Sequence, residues 1–167
     1  MNSYQQRLYN LLPAKNRETI FLRLFGFLKI PMLFFLGPSV VELSDIKTVV
    51  KIPLGLRSKN HLGSMYFGAL AAGADCAGGL MAMKLIELSG HNVSLVFKDF
   101  YAKFGKRAHG DVLFTCTQGV EVAELVKKAI ASREREELTM NILATCPSQG
   151  EEMVAEFKLT LSLKRRD

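Results

Sequence analysis

The chain has 167 residues, a net charge of +6, 49% hydrophobic and 23% charged residues. That length and apolar share suit one domain with a real core, and they exclude global disorder. Glycine (13) and proline (5) are too few for a collagen-like or Pro-rich chain. The basic balance fits an anionic partner, a phosphorylated ligand or simply a lysine-rich solvated surface. Nucleic acid is disfavoured: there is no tryptophan, no zinc-finger spacing and no basic run beyond Lys164-Arg165-Arg166. Cys76, Cys116 and Cys146 are odd in number and form no CxxC pair, so they suggest reduced, buried thiols in a cytoplasmic protein.

The N-terminus lacks the pattern of a secretory signal. Ile20 to Leu36 is apolar, but Arg23, Lys29 and Pro31 interrupt it, so no integral membrane segment is expected there. It reads as an amphipathic helix ending near Pro31, followed by an apolar connector, Met32 to Leu36. Phe21, Phe25 and Phe27 either pack on the fold, border an apolar ligand channel or touch a membrane surface. Val40 to Leu43 reads as a short strand. Ile46 to Leu54 alternates with period two, a strand with one buried face. Residues 55–61 are loop-like.

From Gly63 to about Leu88 the pattern is one long helix with almost no charge before Lys84, so it must be buried all round. Gly90 closes it. Val93 to Phe104 is a long strand of mixed parity, which predicts a bulge near Lys98. Val112 to Thr117 is a strand with Val112, Phe114 and Cys116 on one face. A short amphipathic helix follows, with Val122, Leu125, Val126 and Ala129 at helical spacing and an expected Glu124–Lys128 pair. Two strands end the chain, through Leu138–Ala144 and Phe157–Leu163. Short connections favour antiparallel pairing. A single apolar helix among antiparallel strands calls for a curved sheet wrapped around it, the α+β hot-dog architecture. The expectation is therefore one domain over 1–167, with 1–36 as an N-terminal helical segment and 37–167 as the hot-dog core. An uncovered sheet edge and helix flank predict a homodimer or dimer of dimers.

Asp75 stands out as a carboxylate inside an otherwise uncharged helix. Its neighbours one turn away, Ala71, Ala72, Gly78 and Gly79, are all small, so the helix carries a groove there. Either the groove seats neighbouring backbone, with Asp75 bonded to amides, or it leaves room for a substrate beside a general base or nucleophile. Upstream lies Asn60-His61-Leu62-Gly63-Ser64-Met65-Tyr66-Phe67-Gly68. Asn60 could form a turn or orient a ligand, Ser64 could cap the helix, and amides at the helix start could polarise a carbonyl.

Asn60-x-x-Gly63, then Gly68, then Asp75 seven residues on, resembles hot-dog thioesterases of the phenylacetic-acid-degradation (PaaI) type. The wider pattern, from Phe25-Gly26 and Pro31 to Asp111 and Thr115-Cys116, is similar to a branch of that superfamily whose members are described as domains of unknown function. The resemblance implies hydrolysis of an acyl-CoA or other acyl thioester at a dimer interface. Asp75 would be the base or nucleophile, Asn60 would orient water or substrate across the interface, and amides near Phe67 and Gly68 would hold the oxyanion. Gly63, Ser64, Tyr66, Phe67, Ala71 and Gly79 would contact substrate. Tyr66-Phe67-Gly68 replaces the His-Gly-Gly often found at this point in that family. Lys98, Lys103, Lys106, Arg107 and His109 could hold the phosphates of coenzyme A or merely face solvent. No cofactor beyond the coenzyme A of the substrate and no metal site is expected. A non-catalytic acyl-CoA or fatty-acid binder is the alternative function.

Overall fold

The computed structural model describes residues 16–150 and 152–167; the rest of the N-terminal helical segment, 1–15, lies outside the described residues. Helix α1 (Arg17–Lys29) is followed by a short second helix, α2 (Pro31–Leu36). The expected apolar connector is thus helical. Pro31 sits at the first helical turn, where its fixed φ suits helix entry, and Gly37 closes α2 at φ +64°. Gly26 permits the tight corner, because a Cβ there would lie 2.8 Å from the Phe34 backbone nitrogen.

Strands β1 (Ser39–Leu43) and β2 (Thr48–Ile52) form a hairpin. Its turn, closed by the Ser44 amide donating to the Lys47 carbonyl, shortens β2 and leaves Ile46 exposed. The central helix α3 (Phe67–Ser89) ends at Gly90, φ +71°. Strand β3 (Val93–Phe104) is irregular between Phe97 and Phe100, which places the bulge at Lys98. Strand β4 (Val112–Cys116), helix α4 (Gly119–Ser132), strand β5 (Glu136–Thr145) and strand β6 (Met153–Arg165) complete the chain. Lys128 does not pair with Glu124; it reaches Glu136 at 2.7 Å. The start of β5 brings that carboxylate back beside the helix, where Ser132 also bonds it.

The six strands form one antiparallel sheet in the order β1-β2-β4-β5-β6-β3. Its curved inner face wraps α3, which is the hot-dog arrangement expected from the pattern of elements. Phe114, Met140, Ile142, Phe157 and Leu159 of the sheet are fully buried against Ala74, Ala77 and Leu80 of α3 or beside them. Helix α3 is long and apolar enough to cross a membrane, but 67% of its most apolar stretch is buried in this core. All three cysteines are buried and unbridged. Strand β3 lies at the sheet edge and, among the described strands, pairs only with β6.

Candidate functional site

The start of α3 is not where the apolar pattern places it. Gly63 turns the chain at φ +77°, and the next amides serve tertiary bonds: Met65 N–H donates to Ala108 (2.8 Å) and Tyr66 N–H to Ser58 (2.7 Å). The helix therefore begins at Phe67, with an extended Tyr66 at its N-cap. Ser64 does not cap it. Ser64 is buried and tied to Asn60, whose Nδ2 donates to the Ser64 hydroxyl at 3.1 Å. Asn60 Oδ1 accepts from the amides of Leu62 (2.9 Å) and Ser64 (3.2 Å). Asn60 is thus a loop-forming Asx residue with one amide hydrogen to spare.

As first-turn amides, Phe67 and Gly68 have no acceptor within the helix. Phe67, though not Gly68, borders a cavity of about 350 Å³ lined by Asn60, Ser64, Tyr66, Leu70, Phe104 and Arg107, among others. Aromatic rings crowd its mouth, Tyr66 on Phe67 at 4.7 Å and Phe67 on Phe104 at 6.5 Å. A Cβ on Gly68 would meet the Tyr66 ring at 2.5 Å, so glycine is what lets that ring fold back.

Asp75 lies elsewhere. It lines a larger apolar cavity of about 510 Å³ between α1, α3 and β3. Phe21, Phe25 and Leu33 form one wall; Gly79, Met83 and Phe97 form another. Phe27 is not part of it and points to solvent. Among the described residues no hydrogen bond or ion pair reaches the Asp75 carboxylate, so the amide-bonded arrangement is not what the structure contains. Desolvation by these walls raises its pKa from 3.8 to about 6. A carboxylate tuned close to neutrality in a cleft fits a general base. Burial, and then the neighbouring Asp75 charge, pushes the Cys76 thiol up, so Cys76 is an inert wall and not a nucleophile.

The small residues around Asp75 divide by role. A Cβ on Gly78 would meet the Met140 methyl at 3.1 Å, so Gly78 packs on the sheet. Gly79 opens on the cavity, and a Cβ there would reach only ordinary contact with Phe97 at 3.6 Å. Ala71 is half-buried and lines neither cavity.

The basic residues separate too. Lys98 pairs with Glu137 at 2.8 Å, Lys103 pairs with Glu156 at 3.3 Å, and Lys106 contacts Glu152. Arg107 lines the Asn60 cavity and has no carboxylate partner among the described residues. His109 donates its backbone amide to Gln149 at 2.7 Å. Asp111 is structural: it accepts from the Leu54 amide (3.0 Å) and Lys51 (3.1 Å), which hold its carboxyl below the usual range. The sequence reading missed Leu33, Met83 and Phe97 as cavity walls. Met83 was the most accessible of these, since it lies one turn beyond Gly79.

The fold has many solved relatives. A Pseudomonas aeruginosa protein of unknown function, described as a probable thioesterase, is 24% identical over 93% of this chain and 97% of its own, with a TM-score of 0.71. A thioesterase from Haemophilus influenzae is 16% identical over 85% and 88%, TM-score 0.62. A protein of unknown function from Chlorobaculum tepidum is 13% identical over 91% and 97%, TM-score 0.75. At these identities the likeness shows the fold. No curated protein matches the chain. Residues 17–163 match the profile of the family described as Domain of unknown function (DUF4442). Built on the hot-dog fold and matched to that profile from α1 almost to its last residue, the chain belongs to the DUF4442 family.

Proposed function

We propose that the protein hydrolyses an acyl thioester, with Asp75 as the group that activates water or attacks the acyl carbon. The observation that carries this reading is the Asp75 carboxylate, without a partner among the described residues, in the wall of a 510 Å³ apolar cavity. That volume lies within the range of small-molecule sites. Two of the structural relatives carry the name thioesterase, which agrees with the reading. In its ionised form Asp75 takes a proton from water, the resulting hydroxide adds to the acyl carbon, and the C–S bond breaks to release the thiolate. The amides of Phe67 and Gly68 would hold the oxyanion, and Arg107 would attract an anionic carrier such as coenzyme A.

Gly68 and Asp75 are seven positions apart on one helix, about 10 Å at 1.5 Å per residue. That is too far for both to act on one carbon within a subunit. The reading therefore places Asp75 of one subunit against the Asn60 loop and α3 start of a second. The free edge of β3, with exposed Val96, Phe100 and Tyr101, suits such pairing. Light scattering should give a mass of at least twice 18.6 kDa. A fully active monomer at micromolar concentration overturns the shared site.

The direct test is a panel of acyl-CoA substrates followed by free-thiol release. Release that rises with pH through about 6, as Asp75 ionises, supports the reading. Tight acyl-CoA binding with no thiol release replaces it with an acyl-binding role. Gly79→Val probes the cavity itself. Its Cβ finds only ordinary contact, so stability should change by less than about 1 kcal/mol. The added methyls narrow the chamber, so a long acyl chain should lose more rate than a short one. A melting curve and two substrates of different length on this variant decide the point. A strongly lowered melting temperature with unchanged length preference counts against the chamber.

A further inference from the structure

The outer side of the α1–α2 corner is unlike the rest of the surface. On α1, Leu24, Phe27 and Leu28 share one face at helical spacing, and Leu28 is 64% exposed. The Phe27 ring meets Phe34 of α2 edge-on at 5.2 Å, so the face continues across the corner. Phe34 and Phe35 then share a shallow cleft with Leu56, at the tip of the loop after β2, which is 87% exposed. Nothing in the core accounts for this series. The cavity beside Asp75 uses the adjoining side of α1, through Phe21, Leu22 and Phe25.

Among the described residues, the charged side chains that line the cleft are both cations. Arg23 and Arg57 flank the cleft, and Lys29 stands at the end of α1. Arg23 is braced on the carbonyls of Pro38 (2.9 Å) and Gly37 (3.3 Å), and Arg57 lies over the Phe35 ring at 5.3 Å. Among the described residues none of these three cations has a carboxylate partner. Residues 1–36 of the sequence carry five basic side chains, Arg7, Lys15, Arg17, Arg23 and Lys29, against one acid, Glu18. Glu18 reaches Lys84, at 4.0 Å.

We infer that the α1–α2 corner and the Leu56 loop dock on the surface of an anionic phospholipid bilayer. Leu24, Phe27, Leu28, Phe35 and Leu56 enter the interface, while Arg23, Lys29 and Arg57 meet the lipid phosphates. Apolar side chains rimmed by cations are what such a surface selects. A second copy of the chain fits less well. A two-fold contact lays a patch on itself, so these cations would face their own copies with no acid between them. Docking places α1, which roofs the Asp75 cavity, against the membrane. The inference does not depend on what chemistry occurs in that cavity.

The test is co-sedimentation of the full chain with vesicles of equal parts phosphatidylcholine and phosphatidylglycerol, against vesicles of phosphatidylcholine alone. Binding should favour the anionic vesicles and weaken as salt is raised, because the Debye length shortens to about 3 Å at 1 M. Lys29→Glu should weaken binding at least roughly fivefold, the usual worth of one cation near an anionic surface. Phe27→Ser combined with Leu28→Ser should lower vesicle binding at least tenfold and leave the melting curve and the mass by light scattering unchanged. Leu143→Ser, an exposed leucine on β5, should bind as wild type. No binding to anionic vesicles at low salt overturns the inference, as does undiminished binding by the double variant or equal loss in Leu143→Ser. A reduced mass for the double variant overturns it in favour of an interface between copies of the chain.

Discussion

Asp75→Asn should lower thioester turnover by roughly 10²–10⁴, the usual contribution of a positioned base, while making the protein more stable at neutral pH. The two effects share one cause. The cavity walls desolvate the carboxylate and no donor among the described residues compensates it, so its pKa stands at about 6 instead of 3.8. Between these values the folded protein holds a proton that the unfolded chain releases. This group's contribution to stability is therefore most favourable below about pH 4 and is lost as pH rises to about 6. Above that, the buried charge costs about 2–3 kcal/mol. Asparagine keeps the shape without the charge, and the gain should raise the melting temperature by about 2–4 °C per kcal/mol recovered. Melting curves of both proteins at pH 8 and pH 4 check the sign, since the advantage of the variant should vanish at the lower pH. Wild-type turnover in Asp75→Asn would remove the catalytic assignment. A lowered melting temperature at pH 8 would mean that the carboxylate is bonded in the folded protein.

Gly73→Ala should be among the most damaging single-methyl changes in the chain, against the helix propensities of the two residues. In an exposed helix the change gains about 1 kcal/mol. Here the new Cβ would lie 2.2 Å from the Phe114 ring. That ring is fully buried and tilted against Phe157 at 6.2 Å, so it cannot move aside without displacing the centre of the sheet. Overpacking should win, with a net loss of about 3 kcal/mol, read as a lower urea midpoint. Phe114→Leu alone should also destabilise, by leaving a cavity. Combined, the two should cost clearly less than the separate losses together, because the methyl occupies space the ring vacated. Additive losses would mean that Gly73 is needed for some reason other than the ring.

The elements of the fold were legible in the sequence because each is written in a local period. The uncharged run around Asp75 requires burial on all sides, and the alternation through Val112, Phe114 and Cys116 assigns one face of β4 to that helix. Mixed parity in β3 announced the bulge at Lys98. Asp75 was conspicuous for the same reason, as one charge in an apolar helix. Features set by contacts between distant segments were not legible. Phe67 is the first residue of α3 because the amide of Met65 is used by Ala108, far along the chain, and that of Tyr66 by Ser58, across the preceding loop. Lys128 chose Glu136 over Glu124 because β5 returns beside α4. Gly78 and Gly79 are identical and adjacent in sequence, yet one meets Met140 and the other opens on the cavity, a difference of one helical step relative to the sheet. The composition of the chain determined that a helix would be buried with a carboxylate in it. Only the tertiary structure decided that no donor among the described residues reaches that carboxylate and that α1 roofs the space beside it, because both depend on which surfaces meet when α1, α3 and β3 pack together.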